Sequence, residues 1–109
     1  MYLKLREFQK AISDCTKAIS LSTDDSAVPY YNRGLAYANM GEFSKSLEDF
    51  DQVIEFLPEN VEAYAKRAML HTQLGNKSRA ILDFERFLEL DPNNENASMV
   101  RDELYRLKH

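Results

Sequence analysis

Residues 30–50 read YYNRGLAYANMGEFSKSLEDF, and residues 64–84 read YAKRAMLHTQLGNKSRAILDF. Both stretches open on Tyr and close on Asp-Phe. Laying the first over the second, with Tyr30 on Tyr64, also superposes Arg33 on Arg67, Gly41 on Gly75, Ser44 on Ser78, Asp49 on Asp83 and Phe50 on Phe84. The register then carries on through Glu55 and Glu89, Pro58 and Pro92, and Asn60 and Asn94. Matches spread over a whole unit mark a repeated architecture rather than a copied motif.

Inside each unit the apolar spacing is helical. Tyr30, Gly34, Tyr37 and Ala38 fall on one face of a first helix. Ser46, Phe50, Val53 and Leu57 do the same for a second helix, as do Ala80, Phe84 and Phe87, with Asp91 leaving the apolar face. Gly41 and Gly75 stand between the two helices, where a left-handed residue ends the first. Pro58 and Pro92 stop the second helix, and Asn60 and Asn94 are suited to cap the next. Small residues (Gly34 and Ala68, Ser46 and Ala80) stand where two backbones must approach closely, and Phe50 and Phe84 fill the space between. Such a hairpin cannot bury its own face, so each copy serves as its neighbour's core.

The order of these residues resembles the tetratricopeptide repeat family, whose repeating unit is a pair of antiparallel helices, A and B. Tyr30, Gly34, Tyr37, Gly41, Glu42-Phe43, Ser46, Phe50, Val53 and Pro58 follow that pattern in residues 27–60. Tyr64, Ala68, His71, Gly75, Ala80, Phe84, Phe87 and Pro92 follow it in residues 61–94. Departures in the second unit are His71 for an aromatic, Lys77 for the aromatic after the turn, and Phe87 for a small residue; they suggest looser or shifted packing. Residues 1–25 resemble a half repeat, the last turn of a helix A and then a helix B, with Tyr2, Phe8, Ala11, Cys15, Ala18 and Leu21 in the matching places. There Arg6 replaces the turn Gly, Thr23 replaces the final Pro, and the loop STDDS holds one extra residue. Residues 95–109 place Ala97, Val100, Leu104 and Leu107 at helical spacing, as a helix that closes the stack would. The resemblance thus implies an all-α fold, an α-α superhelix of about two and a half repeats plus a capping helix, in a single domain of residues 1–109.

The composition of 109 residues agrees with one soluble, mostly helical domain: 44% hydrophobic, 29% charged, with three Gly and three Pro. A net charge of −4 and the lack of a basic run argue against a nucleic acid or an anionic membrane surface as partner. Cys15 is the only cysteine, which fits a reducing compartment. The opening MYLKLREFQK has no apolar run of signal-peptide length, so a cytoplasmic setting is expected.

Residues that could carry chemistry are few. Cys15 sits at a packing position, His71 at an aromatic one, and His109 is terminal. No His or Cys stands at ligand spacing, so no metal is expected. The acidic sets Glu48, Asp49, Asp51, Glu55 and Asp83, Glu85, Glu89 read as a solvated outer face of the B helices. The sequons Asn76-Lys77-Ser78 and Asn96-Ala97-Ser98 read as chance. No catalytic constellation and no cofactor site emerge, and an enzyme is not expected.

In the family, the A helices line a concave groove that takes a peptide or partner helix. Carried over by position, the groove residues are Val28, Tyr31, Asn32, Leu35 and Asn39, then Glu62, Ala65, Lys66, Met69 and Gln73. The apolar members suit side-chain burial, and Asn32, Asn39 and Gln73 suit hydrogen bonds to a peptide backbone. The function implied is protein interaction or scaffolding. Some family members clamp a chaperone's acidic tail with Lys and Asn on one helix A, Asn on the next, and Lys plus Arg on a third. Asn32 matches, but Glu62 replaces the Lys, Lys66 the Arg, and the first helix A is mostly missing, which makes this the weaker reading. An alternative to ligand binding is self-association, or membership of a longer array, through Tyr2, Leu5, Phe8 and Ile12. A homodimer with Met1 to Leu21 run on as one helix is one form of it.

Overall fold

The computed structural model describes residues 2–21 and 26–109, apart from the side chains of residues 2 and 3. Six helices follow in order: α1 (Tyr2–Leu21), α2 (Val28–Asn39), α3 (Phe43–Phe56), α4 (Val61–Gln73), α5 (Lys77–Leu90) and α6 (Ala97–Lys108). Among the described residues there is no strand, and the fold class is the all-α one expected. The chain divides into two compact units, Met1–Pro58 and Glu59–His109. The first packs α1 on α2 and α2 on α3; the second packs α4 on α5 and α5 on α6.

The turns form where the repeat places glycine. Gly41 has φ 77° and Gly75 φ 81°, the left-handed region that only glycine occupies cheaply. Around Gly41, its own N–H donates to the Ala38 carbonyl at 3.0 Å and the Glu42 N–H to that of Tyr37 at 2.9 Å. Gly75 and Asn76 donate in the same way to Thr72 and His71, so both A helices end in one hydrogen-bonded motif. The B helices stop at Phe56 and Leu90, each two residues before a proline, which disfavours helical backbone at the residue preceding it. Asn60 caps α4, its Oδ1 accepting from the Ala63 N–H at 3.0 Å. Asn94 does not cap α6. Its Oδ1 accepts from the Asn96 N–H at 2.9 Å and its Nδ2 donates to Asp91, a local turn that delays α6 to Ala97.

In the first unit α1 runs unbroken through Arg6, at the place where Gly41 and Gly75 turn the chain elsewhere. The short helix-A stub therefore does not fold back, because the left-handed conformation costs a side chain about 1–2 kcal/mol while continuing the helix costs nothing. The half-buried face of α1 holds Phe8, Ala11, Ile12, Cys15 and Ile19. Ala18 and Leu21, expected on that face, are exposed, because the stripe passes through Ile19 instead. Thr23 and most of the loop STDDS lie outside the described residues.

Packing of α2 on α3 is close. Ser46 is fully buried, and its Oγ donates to the Gly34 carbonyl at 2.6 Å. A Cβ added to Gly34 would come within 2.9 Å of Phe50 Cε2 and 3.3 Å of Asp49 Cβ. Phe50 has no room to retreat, being 1% exposed and edge-on to Tyr31 at 5.4 Å between centroids. Leu57 falls beyond the last helical turn as the C-cap of α3 and is exposed, unlike Ser46, Phe50 and Val53.

In the second unit Ala68, Ala80, Phe84 and Phe87 are buried to 1% exposure or less. Phe87 is thus accommodated without looser packing in its own surroundings. Lys77 is exposed where Phe43 is half-buried. Ala97, Val100 and Leu104 of α6 are buried as the spacing predicts. Replacing Gly34 with Leu is expected to lower the unfolding free energy of the first unit by about 3 kcal/mol. Gly34→Ala should cost less, since a gain in helix propensity of about 1 kcal/mol offsets part of the clash. Urea denaturation followed by circular dichroism measures both.

Candidate binding surface

The A-helix residues singled out from the sequence separate into two stripes, one in each unit. On α2, Val28, Asn32, Leu35 and Asn39 follow the spacing i, i+4, i+7, i+11 and so share one face. Val28, Asn32 and Asn39 are exposed, while Leu35 and the neighbouring Tyr31 are half-buried. Tyr31 is partly committed to the core by its edge contact with Phe50. On α4, Glu62, Lys66, Met69 and Gln73 repeat the spacing, and all four are exposed. Ala65 beside them is half-buried.

What turns these faces outward is anchored on α3 and α5. Arg33 of α2 donates from Nε to Asp49 Oδ2 at 2.9 Å and from its terminal nitrogen to Oδ1 at 2.7 Å. Arg67 of α4 meets Asp83 with the same two-pronged geometry, both bonds 2.8 Å. Each guanidinium also lies over the tyrosine one turn earlier, 5.7 Å from the Tyr30 centroid and 5.6 Å from that of Tyr64. Arg33 further donates to Thr16 Oγ1 of α1 at 3.2 Å, so it ties all three helices of its unit. The Asp49 hydrogen bonds hold it more firmly protonated than an ordinary arginine.

This corrects the reading of the acidic sets as wholly solvated. Glu48, Asp51, Glu55 and Glu89 are exposed and Glu85 half-buried, but Asp49 and Asp83 are 2% and 5% exposed. The signal was present in the sequence: Arg33 precedes Asp49 at the same spacing at which Arg67 precedes Asp83. Pairing them required knowing which face of the B helix meets the A helix.

The remaining candidates for chemistry are packing groups. Burial pushes the Cys15 thiol up, against the opposing pull of Arg33, so little of it is thiolate at neutral pH. His71 is 4% exposed, with Nδ1 3.4 Å from Asn76 Nδ2 and Nε2 3.9 Å from Asp83 Oδ2. It therefore replaces an aromatic ring with a polar one set into the Arg67–Asp83 pair. Among the described residues no group of three His, Cys, Asp or Glu stands where it would hold a metal ion. Of the residues considered for self-association, Leu5 is exposed and Phe8 and Ile12 half-buried, while the Tyr2 side chain lies outside the described part.

Residues 27–60 and 61–94 each match a model of the tetratricopeptide repeat, and residues 1–25 match a third. Human sperm-associated antigen 1 is 39% identical over 62 residues, 57% of this chain and 7% of that protein, so the chain spans a small fraction of its relative's length. The first TPR of Spaghetti (RPAP3), bound to the HSP90 peptide SRMEEVD, superposes with a TM-score of 0.83 at 28% identity, covering 98% of this chain and 82% of that one. The second TPR domain of human RPAP3, in complex with the HSP70 peptide SGPTIEEVD, gives 0.82 at 28% identity, covering 99% and 87%.

Burial separates two acidic residues of α5 by experiment. Asp83→Ala removes the buried acceptor of two Arg67 hydrogen bonds and is expected to lower stability by about 3 kcal/mol. Glu85→Ala removes only a surface pair with Lys108 and is expected to stay within about 0.5 kcal/mol. Chemical denaturation of the two variants in parallel checks the difference.

Proposed function

The chain belongs to the tetratricopeptide repeat family, and we propose that it is a protein-interaction module receiving a peptide or partner helix on the exposed faces of its A helices, α2 and α4. The observation that carries this is the contrast between the two sides of each A helix. One side is locked by a buried Arg–Asp pair, whereas the other leaves Val28 65% and Met69 47% exposed beside amides. Burying an apolar side chain of that size in a complex contributes roughly 1.5–3 kcal/mol, so losing one such contact weakens a complex about tenfold or more. A cytoplasmic setting belongs to the same proposal, supported by Cys15 being the chain's one cysteine.

The similar RPAP3 domains were solved with HSP90 and HSP70 peptides, which supports a peptide as the type of partner. An acidic chaperone tail is the less favoured form of it, because Glu62 on α4 repels a carboxylate and Lys66 lacks the planar fork of arginine. A second reading is self-association or array assembly through α1, favoured by the uninterrupted helix and by Leu5 at 40% exposure.

The experiment is affinity capture with the intact chain and with a Val28→Asp, Met69→Glu variant, read by mass spectrometry beside the molar mass of each from light scattering. The module reading expects specific partners to fall at least tenfold on the variant, with its helicity and molar mass unchanged. Equal capture by both chains would remove it. A dimeric mass that reverts to monomer on Leu5→Glu, Phe8→Glu substitution would favour self-association.

A further inference from the structure

Where the first hairpin has Tyr37 the second has His71, and the exchange puts a titratable ring inside the contact between α4 and α5. The ring is 4% exposed. Asn76 meets it from the turn between the two helices, with Nδ2 3.4 Å from Nδ1. An amide nitrogen only donates, so Nδ1 is the accepting nitrogen and the neutral ring carries its proton on Nε2. Nε2 lies 3.9 Å from Asp83 Oδ2 of α5. The same Oδ2 accepts from Nε of Arg67, one turn earlier on α4, at 2.8 Å, and Oδ1 accepts from the terminal nitrogen of that arginine. Helix α6, which packs on α5, contributes Ala97, Val100 and Leu104 to the buried side and no charge among them.

The Asp83 carboxylate is therefore already matched by a guanidinium, which keeps its charge at any physiological pH. A proton added to His71 would set a second cation against that one carboxylate, in a place shielded from water. It would also enter at Nδ1, where the Asn76 amide presents its nitrogen and would have to turn over. Histidine is the one side chain that ordinarily changes charge between pH 5 and 8, whereas tyrosine does not, so the first hairpin has no counterpart at Tyr37. We infer that His71 is a pH-sensitive latch of the second hairpin: neutral, it completes the contact of α4 with α5, and protonated, it competes with Arg67 for Asp83 and loosens the two helices. In the unfolded chain the imidazole takes up its proton near pH 6.5, at about the value of a solvated ring. The folded chain resists it until lower pH, so the unfolded state binds more protons in between and stability falls as the pH drops through about 6.5.

The test is amide hydrogen exchange of the full chain at pH 7.5 and 5.5, corrected for the intrinsic rate at each pH, on the parent, His71→Tyr and His71→Gln. Tyrosine restores the side chain of the first hairpin, and glutamine keeps a smaller uncharged polar group should the larger ring prevent folding. His109 and the carboxylates are common to all three chains, so their titration cancels in the comparison. The latch expects protection of α4 and α5 amides to fall about five- to tenfold in the parent, close to the most that one histidine proton can contribute over this interval. Either variant should change by less than about twofold. A proton NMR titration of the His71 Cε1–H signal, assigned with His109→Gln, requires no substitution at position 71 and is expected to give a midpoint below about 6.5. Equal or greater protection of the parent at pH 5.5, a fall of the same size in a folded variant, or a His71 midpoint at or above that of a solvated ring would overturn the inference.

Discussion

A guanidinium held between a tyrosine ring and a buried carboxylate is the constraint on which each unit depends. It occurs twice, as Tyr30–Arg33–Asp49 and as Tyr64–Arg67–Asp83. The tyrosine contacts are 5.7 and 5.6 Å, and the shortest ion-pair contacts are 2.7 and 2.8 Å. A buried carboxylate without a partner would cost several kcal/mol, so α3 can settle only where Asp49 reaches Arg33, and α5 only where Asp83 reaches Arg67. The two-pronged geometry fixes rotation as well as distance. Once that rotation is set, Gly34 faces Phe50 and Ser46 reaches the Gly34 carbonyl. The opposite face of α2 is then left to solvent. Packing and the exposed face of the A helix both follow from that polar contact.

The two units solve the same problem with different side chains. Tyr37 in the first is half-buried, with Lys45 and Arg33 near its ring. His71 replaces it in the second and sits 3.9 Å from Asp83, bringing a second polar ring to the pair. Val53 and Phe87 occupy corresponding places, and both are buried despite their difference in volume. The surfaces also diverge. The outward stripe of α2 is neutral, whereas that of α4 begins with Glu62 and Lys66. The repeat keeps what closes a hairpin and leaves free what it presents.

Much of this was legible in the sequence because periodicity reports burial. Gly41 and Gly75 marked the turns, Pro58 and Pro92 the helix ends, and Phe50, Phe84, Ala97 and Val100 the core. The A-helix stripes came instead from the family resemblance, position by position, and Val28, Asn32, Met69 and Gln73 are exposed. The pattern was silent where polarity and burial part company. Asp49 and Asp83 look like their solvated neighbours, and only the facing arginine distinguishes them. Nor could spacing tell that Asn94 would close a turn with Asp91 rather than cap α6, because both uses begin with the same residue type. At Arg6 the sequence held the information as an absence of glycine, and α1 runs on accordingly.

A double-mutant cycle on Arg33 and Asp49 tests the primacy of that contact most directly. Unfolding free energies of the parent, Arg33→Ala, Asp49→Ala and the double variant separate the pair from the other partners of Arg33, Thr16 and the tyrosines. If the contact governs the hairpin, the coupling energy should be about 2 kcal/mol, within the range for residues sharing one buried network. Additivity of the two substitutions to within about 0.3 kcal/mol, as for an exposed ion pair, would contradict it.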